Sequence, residues 1–249
     1  MKTIGLIGGM SWESTALYYQ IINRQVGKRL GKLHSAPIHL ISLDFEAIAS
    51  RQRLADWEGM GRILVDAARE LERGGADCVL ICTNTMHKLA PVVQAAIDVP
   101  LLHIADATAQ AVLAEGLGRV GLLGTRFTME QPFYRSHLEN EGLACVVPPE
   151  PERGEVHRII FEELCKGQVH DASRRTLQKI CAGLADQGAQ AIVLGCTELP
   201  LILSVHDLPL PVFDTTTLHA LAAVDFALAA HDAEPTQLQR GAHGAAICT

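Results

Sequence analysis

Two short stretches hold the residues best suited to chemistry: LICTNTMH at residues 80–87 and LGCTELPL at 194–201. Each is an apolar run that breaks into Cys-Thr followed by polar residues. A cysteine at a strand end, where a helix starts, is placed for a lowered pKa and for work as a base or nucleophile. The alternative is a small buried hydrophobe. Inspection pairs Cys82 with Cys196, but a gap-free alignment does not. GADCVLICTNT at 75–85 matches GAQAIVLGCTE at 188–198 from the shared Gly-Ala onward, and the shift 188 − 75 = 113 carries Thr83 onto Cys196. Cys82 comes one residue earlier on the strand, so its side chain points to the opposite face, against a helix. The first position thus holds a hydroxyl where the second holds a thiol. Asn84 and Thr85 either ligate a carboxylate or cap the next helix, and His87 falls in that helix's first turn.

These loops need elements to position them. Short apolar runs alternate with longer amphipathic stretches, the pattern of parallel sheets covered by helices. Strands are expected near 2–7, 37–43, 77–82, 100–104, 119–123, 143–147, 190–195 and 210–213. Helices are expected near 12–30, 56–73, 86–97, 106–116, 129–141, 152–166, 172–187 and 215–230. A second internal likeness, TIGLIGGM at 3–10 with RVGLLGTR at 119–126, adds a glycine turn to each copy. Gly8 and Gly9 either make a tight turn or let the backbone approach a ligand. The chain therefore reads as α/β with two pseudo-symmetric domains, each a mostly parallel sheet flanked by helices, and the site in the cleft between them. The expected division is 1–104 plus 213–231 for one half and 105–212 for the other, with a flexible tail at 232–249. Ligands of such sheets sit beyond the carboxyl ends of the strands, where both polar loops lie.

Composition removes several function classes. Among 249 residues the net charge is −7, with no long basic run, which argues against nucleic acid or an anionic membrane as partner. No apolar stretch reaches the roughly 18–20 residues of a membrane span. Seven cysteines are irregularly spaced without CxxC, so reduced thiols in cytoplasm are expected; Cys78, Cys145, Cys165 and Cys181 read as core. The 11 histidines are scattered without HExxH, so no metal is expected. GLIGGM lacks the GxGxxG fingerprint and no GxxxxGK[ST] occurs, leaving a nucleotide cofactor unsupported.

IGLIGGMSWEST, CTNTMH, GLLGT and LGCTELP, in that order, resemble the motifs of the aspartate/glutamate racemases, and the Gly-Gly-Met-Ser-Trp-Glu-Ser turn is similar to that branch in particular. The resemblance implies a cofactor-independent racemase, without pyridoxal phosphate, usually a homodimer. One thiolate removes the Cα proton from one face of a small acidic amino acid, and a thiol on the other face returns it. Here the pattern departs: Thr83-Asn84-Thr85 stands where the family usually has Cys-Asn-Thr, while Cys196-Thr197-Glu198 is intact. A hydroxyl is a far poorer acid and base than a thiol, so the expectation is an asymmetric Thr83/Cys196 pair favouring the L-enantiomer. The resemblance also implies substrate contacts at Met10 and Ser11, at Asn84 and Thr85, at Thr125, and at Thr197 and Glu198. Gln52 and Arg53, with Arg51 as rival, match positions that meet a carboxylate, and Lys166 matches a lysine that reaches the distal one; each also reads as solvated surface charge. Two further readings fit one thiol on this fold: a decarboxylase or isomerase of small diacids, and an amino-acid-binding protein without turnover.

Overall fold

The computed structural model describes residues 1–204 and 206–229, and among these seven strands form two separate parallel sheets. In the first, β1 (Ile4–Gly8) lies between β2 (Ile38–Ser42) and β3 (Cys78–Ile81). In the second the order is β5 (Ala144–Val146), β4 (Arg119–Gly124), β6 (Ala191–Gly195) and β7 (Val212–Asp214). The strand expected at 100–104 shrinks to one parallel bridge between Leu101 and Val79. Its end is taken by His103, which caps the helix α5 (Ile104–Ala114). That bridge still completes the likeness of the two sheets. Leu101 meets Val79 as Val212 meets Ile192, and 192 − 79 = 113 repeats the offset that superimposes Thr83 on Cys196. The tail expected at 232–249 lies outside the described residues.

Both faces of each sheet are covered, which is why the strands read as unbroken apolar runs. On the first sheet, α1 (Trp12–Leu30) presents Tyr18, Ile22 and Val26 at i, i+4 spacing. With Ala220 and Val224 of α10 (Thr215–Leu228) they bury Ile4, Leu6 and Leu80. Each such side chain contributes about 1.5–3 kcal/mol of burial. Cys82 lies fully buried in this core, on the face its position predicts. The opposite face packs on α3 (Trp57–Arg73) through Leu64, Ala68 and Leu71. In the second sheet, α9 (Asp171–Asp186) covers one face, and α5 with α7 (Pro132–Asn140) covers the other.

Several helices differ from expectation, with identifiable causes. The stretch expected at 86–97 is a 3₁₀ turn, Thr85–Leu89, followed by α4 (Ala90–Gln94), and that expected at 129–141 divides into α6 (Arg126–Glu130) and α7. Pro91 and Pro132 sit in the first turns of the new helices; lacking an N–H, each opens a helix better than it continues one. The expected helix 152–166 begins as α8 (Glu152–Arg158), passes into a π turn at Ile159–Glu163, and tightens to 3₁₀ at Leu164–Lys166 before left-handed Gly167. An unexpected helix, α2 (Phe45–Arg53), follows β2, opened by Asp44, whose carboxylate accepts the Glu46 amide. So α2 and the α8 segment occupy equivalent places, each after the edge strand of its sheet. No helix among the described residues is long and apolar enough to cross a membrane.

Candidate active site

The loops that follow β1, β3, β4 and β6 meet in one cleft enclosing about 510 Å³ of empty space, its mouth included. The first sheet's side supplies Met10, Gln52, Thr83, Asn84 and Thr85. The second supplies Thr125, Cys196, Thr197 and Glu198. Ser11 stands behind this lining: it caps α1, and its hydroxyl donates to Glu198 Oε1 at 2.9 Å. Arg53 is turned away into an exposed ion pair with Glu46, and Arg51 donates to Ala47 O at 2.7 Å. Lys166 is exposed at the end of its 3₁₀ turn, outside the lining. The glycine turn answers to the protein itself: Gly9 has φ +85°, and a Cβ there would lie 2.1 Å from Leu43 O.

The first loop is held by side chains that carry no net charge. Thr83 N–H donates to Ile81 O at 2.8 Å, making a sharp turn off β3. His87, 1% exposed, bonds through Nδ1 to Thr83 O at 2.8 Å, and its Nε2 accepts the Ile104 amide at 3.2 Å. Those two bonds define a neutral imidazole with the proton on Nδ1. Burial, followed by the neighbouring imidazoles His103 and His219, pushes its pKa well below the usual histidine value. Thr215 donates to Leu194 O at 2.9 Å, so its oxygen receives Asn84 Nδ2 at 3.0 Å. This orients the amide and leaves Asn84 Oδ1 a buried acceptor with no donor among the described residues.

The second loop centres on a carboxylate. Glu198 Oε2 accepts the Cys196 thiol at 3.1 Å and the Thr197 hydroxyl at 2.8 Å, while Ser11 takes Oε1. Desolvation of Cys196, then the Glu198 charge, raises the thiol well above its ordinary value. The lowered pKa expected of a strand-end cysteine is therefore reversed. The cause is burial beside an anion. Across the cleft floor, Thr85 Oγ1 lies 3.2 Å from Thr125 Oγ1, which in turn lies 3.3 Å from Thr128 Oγ1.

Sequence reasoning missed the remaining walls. Phe45 and Ile48 come from α2, and Ile160, Phe161 and Cys165 from the irregular end of the α8 segment. Cys165 is therefore not core as expected; it is a half-buried cleft thiol, pushed up to about 12 by burial and the nearby Glu198 and Glu13. The available signal for α2 was Asp44 before an amphipathic stretch. Away from the cleft, the fold gathers His103, Asp106 and His137, metal-ligating types whose atoms lie within 4.8 Å of one another. The His103 and His137 rings stack at 4.0 Å, and Asp106 hydrogen-bonds His137, raising its pKa.

With this geometry in hand, the relatives are informative. A family model described as Asp/Glu/Hydantoin racemase matches residues 7–223, a span containing both polar loops. A putative Asp/Glu racemase from Yersinia pestis is 49% identical, with 92% of this chain and 100% of that one covered at a TM-score of 0.87. An aspartate racemase homologue from Pyrococcus horikoshii is 36% identical, covering 91% and 99%, at 0.80. RacX, a broad specificity amino-acid racemase of Bacillus subtilis, is 25% identical over 227 residues, 91% of this chain and 98% of that protein. Similar over nearly its whole described length to proteins of one kind, the chain belongs to the Asp/Glu/hydantoin racemase family of isomerases.

Proposed function

We propose that the protein interconverts the enantiomers of an α-amino acid without pyridoxal phosphate, with Cys196 and Thr83 as an unequal acid/base pair. The observation that carries this reading is that equivalent ends of β3 and β6 put Thr83 and Cys196 on the same cleft, with a carboxylate hydrogen-bonded to the Cys196 thiol. No lysine stands among the described lining residues to form a Schiff base.

Asn84 Oδ1, a buried acceptor without a donor among the described residues, suits the substrate ammonium. The Thr85 and Thr125 hydroxyls suit the carboxylate, whose charge grows as the carbanion forms. The arriving ammonium favours the thiolate, and Cys196 hands its proton to Glu198. That transfer moves a negative charge across a hydrogen bond instead of creating one in a buried site, so desolvation opposes it less. The thiolate removes the Cα proton of the L-enantiomer, and the Thr83 hydroxyl, directly or through water, supplies one to the other face. The proton held by Glu198 leaves to water as water reprotonates the Thr83 oxygen. The resemblance implies aspartate or glutamate as substrate. Of the three residues it assigns to the carboxylates, Gln52 lines the cleft while Arg53 and Lys166 do not.

The test follows α-proton exchange and optical rotation of L- and D-amino acids in deuterated buffer with no added cofactor, with a thiol-alkylated control. Exchange abolished by alkylation is expected. Release of CO₂ from a substituted malonate without exchange of any amino acid would move the assignment to a single-thiol decarboxylase.

A further inference from the structure

Histidines that lie scattered in the sequence are gathered by the fold behind the Thr83 loop. His87 meets His103 edge to face at 4.6 Å and His219 at 5.5 Å, and His103 stacks on His137 at 4.0 Å. Hydrogen bonds divide these rings into two kinds. His87 uses Nδ1 on Thr83 O and Nε2 on the Ile104 amide. His219 uses Nδ1 on the Tyr18 hydroxyl and Nε2 on Leu102 O, both at 2.8 Å. Neither has a nitrogen to spare. His103 and His137 each engage one: His103 Nδ1 accepts the Ala105 amide at 3.2 Å, and His137 Nε2 bonds to Asp106.

Asp106 completes the group. It stands three residues after His103, in the first turn of α5, so the two share a helix face. His137, in the last turn of α7, approaches from the neighbouring helix. One nitrogen of each histidine and one carboxylate oxygen lie within 4.8 Å of one another. Atoms bound tetrahedrally at about 2.1 Å stand about 3.4 Å apart, so a small inward movement suffices. The two rings, 8° from parallel, must also turn relative to each other before both lone pairs meet one ion. His137 can do so, since its one side-chain hydrogen bond among the described residues is to Asp106. Ligation by His103 draws on the Nδ1 lone pair or moves the ring proton there, and either way displaces the long bond from Ala105.

There is also room. A depression with about 670 Å³ of empty space, its mouth included, is lined by His103, His137, Gln94, Phe133 and Lys88 among others. It leaves water a place as further ligand. The Lys88 ammonium is held over the Trp57 ring, 3.7 Å from its centroid.

We propose that His103, Asp106 and His137 bind one divalent transition-metal ion, with zinc the best fit and water completing its shell. Imidazole nitrogen with one carboxylate suits Zn²⁺, Co²⁺ or Ni²⁺, and is a poor set for Ca²⁺ or Mg²⁺, which take oxygen. The ion joins α5 to α7 and shares no residue with the cleft, so its role is structural. It steadies the helix whose Ile104 amide His87 holds while also holding the Thr83 carbonyl.

The test titrates the full chain, freed of metal by a chelator, with zinc chloride in a calorimeter and with cobalt chloride by absorption. One ion per chain is expected, with visible cobalt bands of nitrogen and oxygen ligation, no thiolate charge-transfer band in the near ultraviolet, and a raised melting temperature with zinc. His137→Gln and Asp106→Asn are each expected to weaken binding by at least about tenfold, and the metal-free melting curve of each shows that it is folded. The cobalt spectrum of the wild type reports the ligand types without any variant. No binding by the wild type, thiolate bands, or a smaller loss in either variant overturns the site and leaves the His137–Asp106 contact an ion pair between helices. A bound ion that leaves the melting temperature unmoved overturns the structural role.

Discussion

The loops after β3 and β6 hold the same place in matching sheets, yet one is tied by neutral groups and the other is built around an anion. In the first, His87 fixes the Thr83 carbonyl and Thr215 fixes Asn84, so the loop is a scaffold of oriented dipoles. In the second, three donors converge on Glu198, one of them the thiol. The difference separates two tasks that a two-thiol site would share. In the reading proposed above, proton removal is concentrated on the Cys196 side, while the Thr83 side orients the substrate and supplies a weakly acidic hydroxyl.

Removing the thiol gives the largest expected effect. Cys196→Ala should lower exchange of the L-enantiomer by about 10³-fold, within the usual range for a general base, as read by NMR in deuterated buffer. Glu198→Gln comes next, and it discriminates between two roles. The charge on Glu198 raises the thiol pKa, so its removal should bring thiolate absorbance in at lower pH. If Glu198 merely repels the thiolate, the rate at neutral pH then rises; as proton acceptor, its loss lowers the rate by about 100-fold.

The scaffold side should register in stability. Burial holds His219 at about 3 and His103 at about 4, and His87 well below its usual value. Folded protein then binds fewer protons than unfolded between those values and about 6.5. Stability contributed by these imidazoles is complete above that window and lost as pH falls through it. Each deeply buried one should cost about 2 kcal/mol between pH 7 and 5, measured as a fall in the urea midpoint. On the alkaline side, Cys165 and Cys78, both raised to about 12, lose stability as pH climbs past the ordinary thiol range. The smallest effect is expected from Thr83→Cys, which restores a thiol to the first loop. It should speed exchange of the D-enantiomer about tenfold and narrow the difference between the two faces.

Much of this contrast was legible in residue order. The 113-residue repeat that opposes Thr83 to Cys196 reappears as strand pairing, because the two sheets share the same spacing along their central strands. β1, β4 and β6 were readable because strands covered on both faces leave unbroken apolar runs. The edge-strand connections were not. α2 has nine residues and carries three arginine or glutamine side chains in a row, and a π turn has no compositional mark. Nor does spacing say where a long cation points: Arg53 found Glu46, seven residues back, instead of the cleft. The thiol pKa went the other way from expectation because burial and the Glu198 contact arise only when the chain closes around Cys196.

The central claim concerns two faces of one carbon, and overall turnover cannot test it. Enantiomers have equal free energy, so kcat/KM for conversion must match in both directions whatever the site contains. Deuterium wash-in with retention of configuration is not so constrained, since it reports each base acting on its own face. Measured on both enantiomers at low substrate concentration, it should be at least tenfold faster for the L form and vanish from it in Cys196→Ala. Equal wash-in from both enantiomers, persisting in Cys196→Ala, would contradict the account.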